Sequence, residues 1–166
     1  MTKKAQDAIE LLDADHRAVE ALFDEYRELS QHKAGGGKRR ALAEAICLQV
    51  AIHMRLEEEV FYPPLREALH DDDLLDDADG EHAGCKELVG QVLAMRPGDE
   101  LYDAKVTVLC EYIARHVRHE REALFPRARK SGIDLAVLGE RLRERRRELQ
   151  AVPEALREDA LVSALA

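Results

Sequence analysis

One eleven-residue phrase occurs twice in this chain, and it dictates most of what the chain can become. The first copy is His53-Met54-Arg55-Leu56-Glu57-Glu58-Glu59-Val60-Phe61-Tyr62-Pro63. The second is His116-Val117-Arg118-His119-Glu120-Arg121-Glu122-Ala123-Leu124-Phe125-Pro126, and the two align without a gap. In each, a His is followed four residues later by a Glu, by another Glu two beyond that, and finally by Pro. Side chains at i and i+4 stack on one face of an α-helix, so each His–Glu pair aims two donor atoms at one place. Ahead of each copy stands a lone histidine preceded by an acid, Asp15-His16 and Glu81-His82. The chain is therefore a duplicated unit: a His, a long gap, then His-x-x-x-Glu. It reads as a metal site assembled from two halves.

Composition decides what scaffold carries that site. At 166 residues the chain is most simply one domain, long enough to bury a core. Ala, Leu, Glu and Arg dominate, aromatics make up 4% and Trp is absent; these are helix formers, without the β-branched and aromatic enrichment of strands. An all-α fold follows. A formal net charge of −9 argues against non-specific nucleic-acid binding, which needs a basic face. Cys47, Cys85 and Cys110 form an odd set without C-x-x-C spacing and fall inside expected helices, so they read as reduced thiols. No apolar leader and no run long enough to span a bilayer is visible. We expect no membrane partner and a cytoplasmic location.

The spacing predicts a first helix from about Lys3 to Gln31 with the stripe Ile9, Leu12, His16, Val19, Phe23, Tyr26. Gly35-Gly36-Gly37 turns the chain. A second helix from about Lys38 carries Leu42, Ile46, Gln49, His53, Glu57 and Val60, and Pro63-Pro64 should kink or end it. A short continuation through Leu65 to Leu69 follows. The acidic run Asp71 to Asp77 lacks the glycine and closing Glu of a calcium loop and suits the start of a third helix. That helix presents Leu75, Ala78, His82, Cys85, Val89 and Val92 and ends near Met95. After Arg96-Pro97-Gly98-Asp99, a fourth helix from about Glu100 to Lys130 presents Leu101, Val108, Tyr112, His116, Glu120 and Ala123. Ser131-Gly132 breaks it. Asp134 then caps a fifth, highly charged helix through Gln150 whose narrow edge, Leu135, Leu138 and Leu142, should lie on the bundle. The Arg-rich run Arg141 to Arg147 reads as a solvated face. Residues 1–150 are expected to form a four-helix bundle plus the fifth helix, and 151–166 a tail.

Four long helices joined by short turns favour an up-down-up-down bundle. At about 1.5 Å per residue, His16 and His53 lie on the order of 25 Å from the glycine turn, and His82 and His116 sit similarly beyond the Pro97 turn. His16, His53, Glu57, His82, His116 and Glu120 can therefore meet at one height. A hydrogen-bonded polar core is the bland alternative, but buried carboxylates are paired or coordinate metals, and six converging groups favour a metal.

This pattern, with its Phe-Tyr-Pro and Leu-Phe-Pro endings, resembles the hemerythrin-like (HHE cation-binding) family over roughly residues 8 to 128. The resemblance implies a four-helix bundle around a non-haem di-iron centre, the two iron ions being oxo- or hydroxo-bridged. It implies that His16 and His53 serve one iron and His82 and His116 the other, with Glu57 and Glu120 bridging. Oxygen-carrying hemerythrins place a fifth His four residues from the lone one on the third helix; here those positions hold Lys86 and Ala78. That departure leaves a more open centre. Imidazole and carboxylate ligands also suit manganese or zinc, though less well than iron in this context, and the lack of thiolates argues against a structural zinc knot.

The expected function is binding or sensing of oxygen or a related diatomic such as nitric oxide. The alternatives are an enzyme acting on peroxide or nitric oxide, a protein donating iron for iron-sulfur cluster repair, and a bundle whose metal only staples the fold. Around the six ligands, Tyr112 fills the slot one turn before His116 and reads as a core tyrosine or a donor to a bound ligand. Glu58 lies about 100° round the helix from Glu57, a poor angle for a ligand. His119 belongs at the rim, and Glu59 and Glu122 on the surface. Asp15 and Glu81 could orient histidines, but sequence neighbours do not face each other on a helix.

Overall fold

The computed structural model describes residues 5–33 and 35–165, and among them there is helix and no strand. The helices are α1 (Ala8–Gln31), α2 (Gly36–Leu56), α3 (Tyr62–Leu69), α4 (Asp72–Ala94), α5 (Tyr102–His119), α6 (Phe125–Lys130), α7 (Leu135–Gln150) and α8 (Pro153–Leu165). Two short π-helical turns, Glu57–Phe61 and Glu120–Leu124, join α2 to α3 and α5 to α6. Packing closes a ring, α1 on α2, α2 on α4, α4 on α5 and α5 on α1, the up-down-up-down bundle. α7 lies on α1 and α2, while α8 lies mainly on α4. Among the described residues of α8, only Leu156 is deeply buried.

Local chemistry sets the element ends. Asp7 and Glu10 form a reciprocal capping box, which starts α1 at Ala8 rather than near Lys3; Lys3 itself is outside the described residues. Such a cap satisfies donors the first turn cannot pair internally. Asp71 caps α4 and Asp134 caps α7 through their side chains. Gly35, with φ of 43°, and Gly132, with φ of 82°, make the expected breaks.

The core falls into two apolar clusters with the polar residues between them. On α1, Ala8 to Leu12 join one cluster and Val19 to Tyr26 the other, with His16 between. On α4, Leu75 and Ala78 join the first, Cys85, Val89 and Val92 the second, with His82 between.

Two of the four expected stripes need correction. Gln49 is exposed, and so are Leu101, Val108 and Tyr112, the last at 46%. Tyr112 is not a core residue and belongs to neither buried ligand set: its ring lies against Gly84, where an added Cβ would come within 2.8 Å of it. The buried face of α5 is instead Tyr102, Val106, Leu109, Ile113, His116 and Val117. On α5 the reason is angular. Successive steps of four residues drift about 40° each from the 3.6-residue turn, so a line of such steps leaves the buried face after two or three.

The prolines hold the second departure. Instead of ending α2, the chain widens into a π turn at Glu57 and continues, with Pro63 in the first turn of α3. The same turn precedes Pro126 in the second copy. Proline is tolerated there because first-turn positions lack an intrahelical partner.

Candidate metal centre

All six ligand candidates are buried, and Glu57, His82 and Glu120 are fully so. The π turns begin at Glu57 and Glu120, and an inserted residue at a helix interior is a common device at functional sites. It lets the carboxylates, and then Val60, Phe61, Leu124 and Phe125, all face inward despite the angular drift.

The imidazoles meet by their Nε2 atoms. His16 and His53 approach to 3.0 Å, and His82 and His116 to 3.2 Å. Glu57 divides its oxygens between the pairs: Oε1 is 2.9 Å from His53 Nε2, while Oε2 is 3.0 Å from His82 Nε2 and 3.4 Å from His116 Nε2. Glu120 Oε2 is 3.1 Å from His16 Nε2 and 3.6 Å from His116 Nε2. Two ligand sets result, His16, His53, Glu57, Glu120 and Glu57, His82, His116, sharing one carboxylate.

The outward nitrogens fix which way these rings are protonated. His53 Nδ1 is 3.2 Å from Asp15, His82 Nδ1 2.8 Å from Glu58, and His116 Nδ1 3.0 Å from Glu81. A carboxylate only accepts, so each Nδ1 carries the hydrogen, and in the neutral ring each Nε2 presents a lone pair inward. Glu57 Oε1 and Glu120 Oε2 find no hydrogen-bond donor among the described residues. Lone pairs facing lone pairs in a buried space require cations or protons between them. The donor set fits divalent metal ions, and outer carboxylates on ligating histidines are the usual support for such sites.

Without a metal, protons take that place. Burial disfavours the His53 imidazolium, but Glu57 and Asp15 outweigh it and push its pKa up to about 10. Burial acts likewise on His116, and Glu120, Glu57 and Glu81 still carry it well above the ordinary range. Burial opposes Glu57 ionisation, yet His53, His116 and His82 hold its carboxyl well below the usual value.

Several of these partners lay beyond the sequence reading. Asp15 and Glu81 do not serve their sequence neighbours; each reaches across to the paired His of the adjacent helix. Glu58, at a poor angle for the metal, points instead to His82 on α4. Tyr62 was visible only as part of the closing tripeptide. Its hydroxyl lies 3.1 Å from Glu120 Oε1, 3.3 Å from Glu57 Oε2 and 3.3 Å from His82 Nε2. Burial and the two glutamates raise its pKa well above the phenolic range, so it stands there as a proton donor. The sequence signal was the mismatch of Tyr62 with Phe125 in the repeat. His119 lies 3.3 Å from Glu81, Glu59 pairs with Arg145, and Glu122 is exposed.

On the side of the imidazoles away from Tyr62 is a small cavity of about 20 Å³. Val19, Val50, Met54, Cys85, Ile113 and Val117 form its apolar wall. That volume suits one molecule of water size.

The family model for the hemerythrin HHE cation binding domain matches residues 7–128. In a crystal structure, a hemerythrin HHE cation binding domain-containing protein from Mycobacterium kansasii shares the fold, with a TM-score of 0.75 at 22% identity over 96% of this chain and 99% of that one. A search of curated proteins finds no match. On the motif, the buried ligand cluster and the extent of the match, this chain belongs to the hemerythrin HHE cation-binding domain family.

Proposed function

We propose that the chain is a non-haem di-iron protein that binds or senses oxygen or a related diatomic such as nitric oxide. Its ligands in this reading are His16, His53, Glu57, His82, His116 and Glu120. The observation that carries the reading is the pair of buried ligand sets joined through Glu57 beside an apolar cavity of about 20 Å³. Two iron ions supply electron exchange and an open position for a small ligand. The protein's own residues do the rest. Asp15, Glu58 and Glu81 hold three imidazoles in register, and the apolar wall admits a small neutral molecule while excluding larger anions. Three free thiols fit a reducing compartment, and we take the protein as cytoplasmic. The functional unit in this reading is residues 1–150, with 151–166 outside it.

A second reading, an enzyme acting on peroxide or nitric oxide, draws on Tyr62. A buried phenol within reach of both carboxylates is placed to hand a proton to a bound oxygen atom, the role of a general acid. Exposing the anaerobic, ferrous protein to oxygen separates the two. A reversible change in the visible spectrum supports binding or sensing; irreversible oxidation with catalytic peroxide consumption supports the enzyme. A colourless protein that retains only zinc contradicts both.

A further inference from the structure

α7 lies outside the segment matched by the family model, yet one of its side chains binds an acid that contacts a candidate ligand. Arg146 Nη1 donates to Asp15 Oδ1 at 2.7 Å and Nη2 to Oδ2 at 2.6 Å. Oδ2 is the same oxygen that accepts from His53 Nδ1 at 3.2 Å. We propose that Arg146 is a positioning residue of the metal centre, fixing Asp15 by both oxygens so that His53 keeps Nε2 turned toward the ion. The proposal rests on the metal reading above.

The contrast with the other outer carboxylates supports it. Glu58 is held by Lys86 of α4, and Glu81 lies 3.3 Å from His119 and 3.5 Å from Arg115 of α5. Those partners come from the four-helix bundle itself. The cation that holds Asp15 in both oxygens comes from the added helix. The contact is also the strongest in form: a planar guanidinium meets a carboxylate fork to fork, which fixes orientation as well as charge. Both partners are mostly shielded, with 24% of the Arg146 side chain and 18% of that of Asp15 exposed. Arg146 Nε is buried without a hydrogen-bond partner among the described residues, and both of the bonds to Asp15 come from the two Nη atoms.

The rest of α7 is built to hold that contact in register. Leu138, Leu142 and Leu149 are buried against the bundle. Gly139 rests on the start of α1, where an added Cβ would meet the backbone of Gln6 and Ala8 at 3.0 Å. Arg143 donates to the Gln6 carbonyl, and Arg145 donates to Glu59 at the π turn that carries Glu57. Through Arg146 and Asp15, docking of α7 is thereby coupled to the metal position served by His53.

The test uses the full chain loaded anaerobically with ferrous iron and challenged with excess chelator. Removing the support of a ligating histidine costs about 10–100-fold in metal affinity. Acting one bond further out, Arg146→Ala should release one of the two ions about 10-fold faster and leave the other unchanged. Arg146→Lys, which keeps the charge but loses the fork, should fall between. Combining Arg146→Ala with Asp15→Asn should add nothing to Asp15→Asn alone. Mössbauer spectra should show one ferrous environment altered and one intact. Circular dichroism identifies a variant that fails to fold, in which case Arg146→Lys decides. Equal acceleration of both ions, no acceleration, or additivity with Asp15→Asn would overturn the proposal while leaving the metal reading in place. A wild-type chain that retains no iron would overturn both.

Discussion

The two copies of the repeated phrase fold alike but are not equipped alike. Each contributes a His and a Glu one turn apart, a π turn beginning at that Glu, and a proline just after it. Each is met by an acid from the helix before it, Asp15 on His53 and Glu81 on His116. Of the positions at which the copies differ, two are aligned across the candidate centre, Glu58 against Arg121 and Tyr62 against Phe125. Glu58 supports His82 and Tyr62 brings a hydroxyl to the same ring. On the opposite side, Phe125 stacks on His16 at 5.8 Å. Arg121 there binds Asp13, 3.6 Å from His16 Nδ1, and that nitrogen has no hydrogen-bond partner among the described residues. The lesson is that a duplication preserves the candidate ligands and the backbone, while chemical distinction between the two ligand sets is written where the copies disagree.

This contrast can be broken at its shared member first. Glu57 touches histidines of both ligand sets, so Glu57→Ala should lose both ions, read as iron per chain by elemental analysis. Retention of one full equivalent would show that Glu57 serves a single position. Next in size is the outer support. Glu58→Gln should weaken binding at the His82 position by about 10–100-fold, whereas Arg121→Gln, its aligned counterpart, should change affinity little; competitive chelator titration compares them. Equal losses would remove the asymmetry.

Acidity gives a third, broader test. The His53 pKa is raised in the folded, metal-free protein to about 10, against about 6.5 when unfolded. The proton on His53 therefore stabilises the metal-free fold fully below pH about 6.5, and this is lost as pH rises toward about 10. Melting of the metal-free chain should fall across that window. Apparent metal affinity should rise across it, since Nε2 must shed its proton to bind. A melting temperature that climbs with pH there would contradict the assignment. The smallest effect belongs to Tyr112: exposed and in neither ligand set, Tyr112→Phe should leave iron content unchanged and stability within about 0.5 kcal/mol by denaturant unfolding.

How much of this was legible in the chain depends on what each residue's position obeys. His16 and His82 sit in stripes with true three-four alternation, and every member of those two stripes is buried. His53, Glu57, His116 and Glu120 were legible from the i, i+4 repeat alone. Tyr112 falls off the buried face because repeated four-residue steps drift from it, whereas Gln49 lies on a three-four spacing and is exposed all the same. The π turns that restore the register leave no compositional trace beyond the recurring proline. Tyr62 faces inward only because of that turn. The pairing of Asp15 with His53, and of Arg146 with Asp15, depends on the angles at which separate helices pack, which no local spacing encodes. The Arg141 to Arg147 run shows the same limit: it reads as a solvated face, yet Arg143, Arg145 and Arg146 bind the bundle.

The central claim is that six buried side chains in two sets joined by Glu57 hold two metal ions. Its most direct test is elemental analysis of the full chain after anaerobic titration with ferrous iron and removal of loosely held metal. Saturation at two iron ions per chain, falling to none in Glu57→Ala, is the expected result. Saturation at one ion, or a wild-type chain that keeps no iron while its fold stays intact, would contradict it.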